Sequence, residues 1–322
     1  MADLEPEPES QPRQPVCGVD DSGHQDWSQH MPEQWAQEID ESEVSFGGGG
    51  NQHRVTLKLS VVRPAAILAE CNHANKAGSG AVNATDTTGL VSWGLSTTLS
   101  AYVVARRQLV VGKRVLELGC GRGMCGLVAA QCGAARVVLS DYEPAVLALA
   151  QKNVAANAAA HAASVGAAQP SVERLVWSRS PAEQRSCGLF DLLLGSELLY
   201  HETDIPALIA SAEHHLAKDG VVVLVYRARV WGITSNLQIA AHAQGMSLQF
   251  VDIQSICNED ARGQLSGSYC AFLSRDSDAE HALAPWLAGL RLVEATDEDN
   301  GEDVGDSEVD SDGDTMQGLF GD

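Results

Sequence analysis

A chain of 322 residues with 44% apolar content can bury the core of one α/β domain with appendages, or of two small domains. Its formal charge of −22 belongs to the ends: residues 1–50 carry 12 Asp and Glu against the single Arg13, residues 294–322 carry 12 and no Lys or Arg, and residues 51–293 hold 19 acidic against 20 basic side chains. A near-neutral middle argues against a surface that tracks phosphates, so no nucleic-acid partner is expected, and no apolar run reaches membrane-spanning length, so neither is a membrane.

Residues 1–50 are expected to be a disordered acidic tail, Pro/Glu-rich from Leu4 to Pro15 and closed by the flexible Gly47–Gly50 run. Within it only Met31–Ile39 suggests a weak helix, because Trp35 and Ile39 stand four apart. Residues 51–293 are the expected folded domain with an N-terminal extension, and 294–322 a second disordered tail. Met1–Arg13 has neither a basic n-region nor an apolar h-region. The eight cysteines show no C-x-x-C and no histidines at zinc spacing. No metal is therefore expected, and a reducing cytoplasmic or nuclear location is.

The extension opens with an alternating strand over 54–62 (Val55, Leu57, Leu59) and a helix over Gly94–Leu109. From Arg114 onward strands and helices alternate. Arg114–Leu118 is a strand, Met124–Cys132 a helix, Arg136–Leu139 a strand and Pro144–Ala159 a helix. Strands follow at Val172–Trp177 and Phe190–Gly195, then a helix capped by Asp204 and the apolar strand Val221–Tyr226. Such alternation predicts a parallel sheet covered on both faces. After a helix over Ile233–Gln244, the segments Leu248–Ile253 and Ser268–Arg275 are joined by a polar, Gly-rich stretch with no helical period. That connection predicts an antiparallel pair, and so one reversed strand in a seven-stranded, mostly parallel sheet.

Glu117-Leu-Gly-Cys-Gly-Arg-Gly123 follows a strand and opens a helix, where glycines let a ligand approach the backbone and helix amides can donate. Gly121, Gly123 and Gly126 also match a dinucleotide fingerprint, but in a register that starts late after the strand. The register that places Glu117 before Gly119, Gly121 and Gly123 favours S-adenosylmethionine, whose amino-acid end and sulfonium are cationic; a pyrophosphate would sit badly beside Glu117. Asp141 ends the second strand of the alternating unit about twenty residues further on, where an acidic side chain accepts ribose hydroxyls. Trp177 can cover an adenine face.

Thr88-Gly-Leu-Val-Ser-Trp93, Gly112–Gly126, Asp141, Asn153-Val-Ala-Ala-Asn157, Trp177 and Asp191-Leu-Leu-Leu-Gly-Ser-Glu-Leu-Leu-Tyr200 together resemble the methyltransferase-like protein-lysine methyltransferases, over roughly residues 54–275. That group includes the enzymes modifying valosin-containing protein, calmodulin and elongation factors. The resemblance implies a class I methyltransferase Rossmann-like fold, S-adenosylmethionine as cofactor and a protein substrate. It implies that Glu197 orients the incoming amine, Tyr200 walls the channel and Trp93 lines the cofactor or lysine entrance. The family usually carries Asp-x-x-Tyr or Asp-x-x-Phe where this chain has Glu197-Leu-Leu-Tyr200, one methylene longer at the acid. No two prolines separate acid and aromatic, as in base amino-group methylation, and no Pro-Cys nucleophile or Tyr-x-x-x-Lys pair occurs. Lysine is the favoured target, with histidine, a small molecule or an inactive cofactor-binding scaffold as alternatives.

Overall fold

The computed structural model describes residues 25–47, 53–63, 88–90, 94–163, 169–181, 187–200, 204–228, 231–256, 265, 267–277 and 279–294. Nine strands appear among them: β1 (Ile39–Phe46), β2 (Val55–Val62), β3 (Arg114–Leu118), β4 (Arg136–Asp141), β5 (Ser171–Arg174), β6 (Phe190–Ser196), β7 (Leu216–Arg227), β8 (Met246–Asp252) and β9 (Ser268–Arg275). Seven form one sheet in the order β5-β4-β3-β6-β7-β9-β8. The pairs from β5 to β7 are parallel, whereas β9 runs antiparallel to both β7 and β8. The expected reversed strand is thus β9, and it lies inside the sheet with β8 outside it.

Strand periodicity divides the core in two. Val115, Val137, Leu139, Leu192, Leu194 and Val223 face one layer, with the helices Gly94–Ala105, Met124–Gln131 and Ala279–Leu287. Leu116, Val138, Leu193, Val222 and Leu224 face the other, with Ile205–His215 and Ile233–Ala243. Alternate residues of one strand therefore serve opposite layers, which is why these strands read as continuous apolar runs. The helix at Ala279–Leu287 was not anticipated; Trp286 is buried and its carbonyl accepts from Tyr102 Oη at 2.6 Å. The sheet also differs at β5, which ends at Arg174, so Trp177 follows the strand instead of ending it.

The expected boundary at residue 50 is wrong. Residues 25–47 pack on the domain, and β1 pairs antiparallel with β2 from Ile39↔Val62 to Phe46↔Val55. Trp27 and Trp35 are buried; Trp27 donates through its backbone N to Gln151 Oε1 at 2.7 Å and through Nε1 to Val172 O at 3.2 Å. Trp35 packs with Val62, Leu90, Val146 and Leu149. The acidic face of β1 is solvated, which suits an edge strand. Residues 1–24, 48–50 and 295–322, the rest of the expected tails, lie outside the described residues.

The other edge of β2 meets side chains from the helix Pro144–Ala156 and its end. Asn157 accepts from Lys58 N at 2.9 Å and donates to Lys58 O at 2.7 Å. Asn153 does the same for Ser60, accepting at 2.7 Å and donating at 3.4 Å. Four residues of helix rise about 6 Å and two of strand about 6.6 Å, so the spacings match. A chain begun at residue 51 should lose β1 and the packing of Trp27 and Trp35 and melt well below one begun at residue 25. Trp35→Ala alone should cost about 3–5 kcal/mol by chemical denaturation; a loss under about 1 kcal/mol would remove residues 25–47 from the core.

Candidate functional site

The turns beyond the carboxyl ends of β3, β4 and β6 enclose a cavity of about 570 Å³, the size of a small-ligand site. Glu117, Gly119, Gly121, Asp141, Trp177, Glu197 and Tyr200 line it. Trp93 lies outside the described residues. Gly123 does not line the cavity: it begins the helix Met124–Gln131 in the left-handed conformation (φ +79°), and a Cβ there would come within 2.7 Å of Leu139 Cδ1.

Glu117 has a different partner from the cationic ligand its position suggests. It is buried, and its carboxylate accepts from Gly126 N at 2.8 Å and Cys125 N at 3.2 Å. It thereby caps the helix Met124–Gln131 from the preceding strand, satisfying amides that have no intrahelical partner. Gly126 is required by this contact, since a Cβ there would lie 2.9 Å from Glu117 Oε2 and overlap Leu139. Burial pushes the Glu117 carboxyl up to about 8, with Asp141 adding to the shift and the two amides opposing it.

The glycine turn is also stitched to β4. Ser140 Oγ donates to Glu117 O at 2.7 Å, Cys120 N to Ser140 O at 2.8 Å, and Gly121 N to Asp141 Oδ2 at 3.3 Å. Asp141 Oδ1 accepts from Tyr142 N at 2.8 Å and Glu143 N at 3.2 Å, which fixes the carboxylate at the cavity wall. Cys120, Cys125 and Cys132, in the loop and its helix, are buried, and their thiols are pushed up by that burial.

After β6 the chain turns sharply. Glu197 has φ +58°, the only non-glycine residue with positive φ among the described residues, a conformation costing about 1–3 kcal/mol that clusters at functional sites. Its backbone N donates to Val225 O at 2.8 Å. The turn sends Leu198 back across the glycine loop: a Cβ on Gly119 would lie 2.5 Å from Leu198 Cδ2 and 3.3 Å from Trp177 Cζ2. Asp204, expected to cap its helix, makes no side-chain cap bond and lines the cavity. Sequence reasoning also missed Tyr142, Glu143, Val176 and Leu198 as lining residues. The first two directly follow Asp141, which was the available signal. Among the described residues none groups three metal-ligating side chains, and no helix is long and apolar enough to cross a membrane.

Residues 82–241 match the profile of the family described as lysine methyltransferase. Among curated relatives, the protein N-lysine methyltransferase METTL21A of Danio rerio is 34% identical over 139 residues, covering 43% of this chain and 61% of that protein. The histidine protein methyltransferase 1 homolog of Rattus norvegicus is 27% identical over 172 residues, covering 47% of this chain and 48% of that protein. The chain thus spans less than two thirds of the length of either relative. A TehB-like SAM-dependent methyltransferase structure from Corynebacterium glutamicum is 16% identical, covering 66% of this chain and 100% of that chain at a TM-score of 0.42.

The buried Glu117 makes stability depend on pH. Its folded-state value of about 8 exceeds the ordinary 4.5, so between these values the folded state holds the proton more tightly and rising pH favours unfolding. Glu117→Gln cannot ionise and lacks one acceptor. The wild-type advantage over this variant in urea midpoint should therefore be largest near about pH 5 and shrink toward about pH 8. An advantage that grows with pH would contradict the burial of this carboxyl.

Proposed function

We propose that this chain, which belongs through residues 82–241 to the lysine methyltransferase family, transfers a methyl group from S-adenosylmethionine to a side-chain nitrogen of another protein, lysine before histidine. One observation carries the reading: a single cavity holds both the glycine loop with Asp141 and the Glu197–Tyr200 turn. A nucleoside site and an amine-orienting acid therefore share one space. The same geometry disfavours a nicotinamide dinucleotide, because the helix amides at Cys125 and Gly126 already donate to Glu117 and a pyrophosphate would need such donors.

The residues fit the cofactor. Gly119 and Gly121 leave room at the loop, where a Cβ would be 2.5 Å from Leu198 and 3.1 Å from Gly89 O respectively. Asp141 is held as the acceptor for ribose hydroxyls, and Trp177 and Val176 offer apolar wall to the base. Bound there, S-adenosylmethionine supplies an electrophilic methyl group on a sulfonium. Glu197 attracts and orients the incoming ammonium, Tyr200 walls the channel, and buried Leu198 excludes water from the reacting end. In-line displacement by a neutral amine needs little beyond such positioning and desolvation. Cys120, Cys125, Cys132 and Cys187 are free thiols, in keeping with the cytosolic or nuclear location this reading assigns.

Adenosylhomocysteine should raise the thermal midpoint by binding only the folded state, and Asp141→Ala should weaken its binding by about 1.5–3 kcal/mol. Stabilisation by a nicotinamide dinucleotide instead would overturn the cofactor.

For catalysis, purified protein is incubated with methyl-labelled S-adenosylmethionine and extract from cells lacking it, and labelled bands are analysed by mass spectrometry. Label on a protein lysine is expected, while label confined to small molecules would refute a protein substrate. Glu197→Gln should cut the transfer rate by about 10²-fold, roughly 2.7 kcal/mol at the barrier, and leave adenosylhomocysteine binding within about twofold. Full activity in that variant would make the carboxylate structural only.

A further inference from the structure

The glycine loop is held from two sides, through Asn153 and Gly89, by contacts that extend back to Ser60 and Trp35, outside the matched residues 82–241. On one side, Asn153 is fully buried and makes three hydrogen bonds: it accepts from Ser60 N at 2.7 Å, donates to Ser60 O at 3.4 Å, and donates to Arg122 O at 3.0 Å. Arg122 belongs to the glycine loop, so one carboxamide ties β2 to the loop's backbone. On the other side, Trp35 and Leu90, both fully buried, pack with Val146 and Leu149. That cluster fixes Gly89, which lines the cavity and crosses the loop so closely that a Cβ on Gly121 would lie 3.1 Å from Gly89 O. Gly89 is itself pressed on its far side, where a Cβ would come within 2.8 and 2.9 Å of the Val146 methyls.

We infer that β2 and Trp35 of the N-terminal segment are a working part of the cofactor site, β2 holding the glycine loop by way of Asn153 and Trp35 packing behind Gly89, with Asn153 and Trp35 as positioning residues. The inference rests on the S-adenosylmethionine reading of the cavity. Its physical content is preorganisation. A loop whose glycines admit many backbone conformations binds tightly only if its conformation is fixed before the ligand arrives. Asn157 provides an internal control. It caps the same strand edge at Lys58 with two hydrogen bonds, and its remaining donor goes to Asn153 O in the helix, not to the loop.

The test measures the dissociation constant of adenosylhomocysteine by calorimetry, and the thermal midpoint without ligand, for the full chain and two variants. Asn153→Ala and Asn157→Ala should both lower the midpoint, since each removes two side-chain hydrogen bonds to the β2 backbone, at Ser60 or at Lys58. Only Asn153→Ala should weaken adenosylhomocysteine, by about tenfold or more, while Asn157→Ala stays within about twofold of wild type. An Asn153→Ala constant within about twofold of wild type overturns the inference, and so does equal weakening in Asn157→Ala. If Asn153→Ala does not fold, Trp35→Phe decides, because Trp35 does not line the cavity. A loss of about threefold or more supports the inference, and an unchanged constant overturns it. A wild-type chain that binds no adenosylhomocysteine would instead refute the cofactor reading, which separates the two failures.

Discussion

Between the end of β3 and the helix at Met124 the chain reverses through Gly119, Gly121 and Gly123, all with positive φ, and arrives at a helix whose first amides lack backbone partners. The buried carboxyl of Glu117 meets two of them, at Cys125 and Gly126. Taking this group out of water is costly, as its value near 8 records, and only such donors make it tolerable. Much of the site's geometry follows from this contact. Gly126 must lack a side chain because Glu117 and Leu139 occupy the space. The helix N-terminus, spent on an internal acid, is a poor phosphate site. One glutamate thus orders the loop and narrows the ligands it accepts.

The alternation of strand and helix from Arg114 to Arg275 was legible in the sequence because each central strand is buried on both faces and reads as an apolar run. Asp141 and Trp177 were legible as cavity residues because a parallel sheet delivers the residues after its strands to one rim, and Glu197 and Tyr200 through the family resemblance of the segment that follows β6. What was not legible depended on partners distant in sequence. β1 is Ile39-Asp-Glu-Ser-Glu-Val-Ser-Phe46, largely solvated; its order comes from β2 and from the anchors Trp27 and Trp35, so the composition of residues 1–50 suggested a tail. Glu117 lines the cavity as its position suggests, but its bonds to the amides of Cys125 and Gly126 depend on how the turn folds back and had no signal in the sequence. Asp204 precedes a helix and has a capping residue's identity, but its side chain makes no cap bond and lines the cavity.

Under the proposed function, the lining sets two demands against each other. Glu117, Asp141, Glu143, Glu197 and Asp204 all border the cavity, with Arg122 the only Lys or Arg among the lining residues, so the site attracts cations. Yet only a neutral amine attacks a methyl group, and a carboxylate nearby favours the ammonium by roughly 1–3 pKa units. Full burial acts the other way by up to about 3–5 units. The residues determine which effect wins at each depth. Glu117, pushed up to about 8, is largely protonated at neutral pH. Asp141 is turned toward the amides of Gly121, Tyr142 and Glu143. The carboxylate that the proposed function assigns to the amine is Glu197, and immediately beyond it lies Leu198, folded onto Gly119. An ammonium is drawn in by one charge and then passes against apolar wall, where the proton becomes unfavourable. The sharp turn at Glu197, with its positive φ, carries the chain from that charge into the Leu198 wall over Gly119.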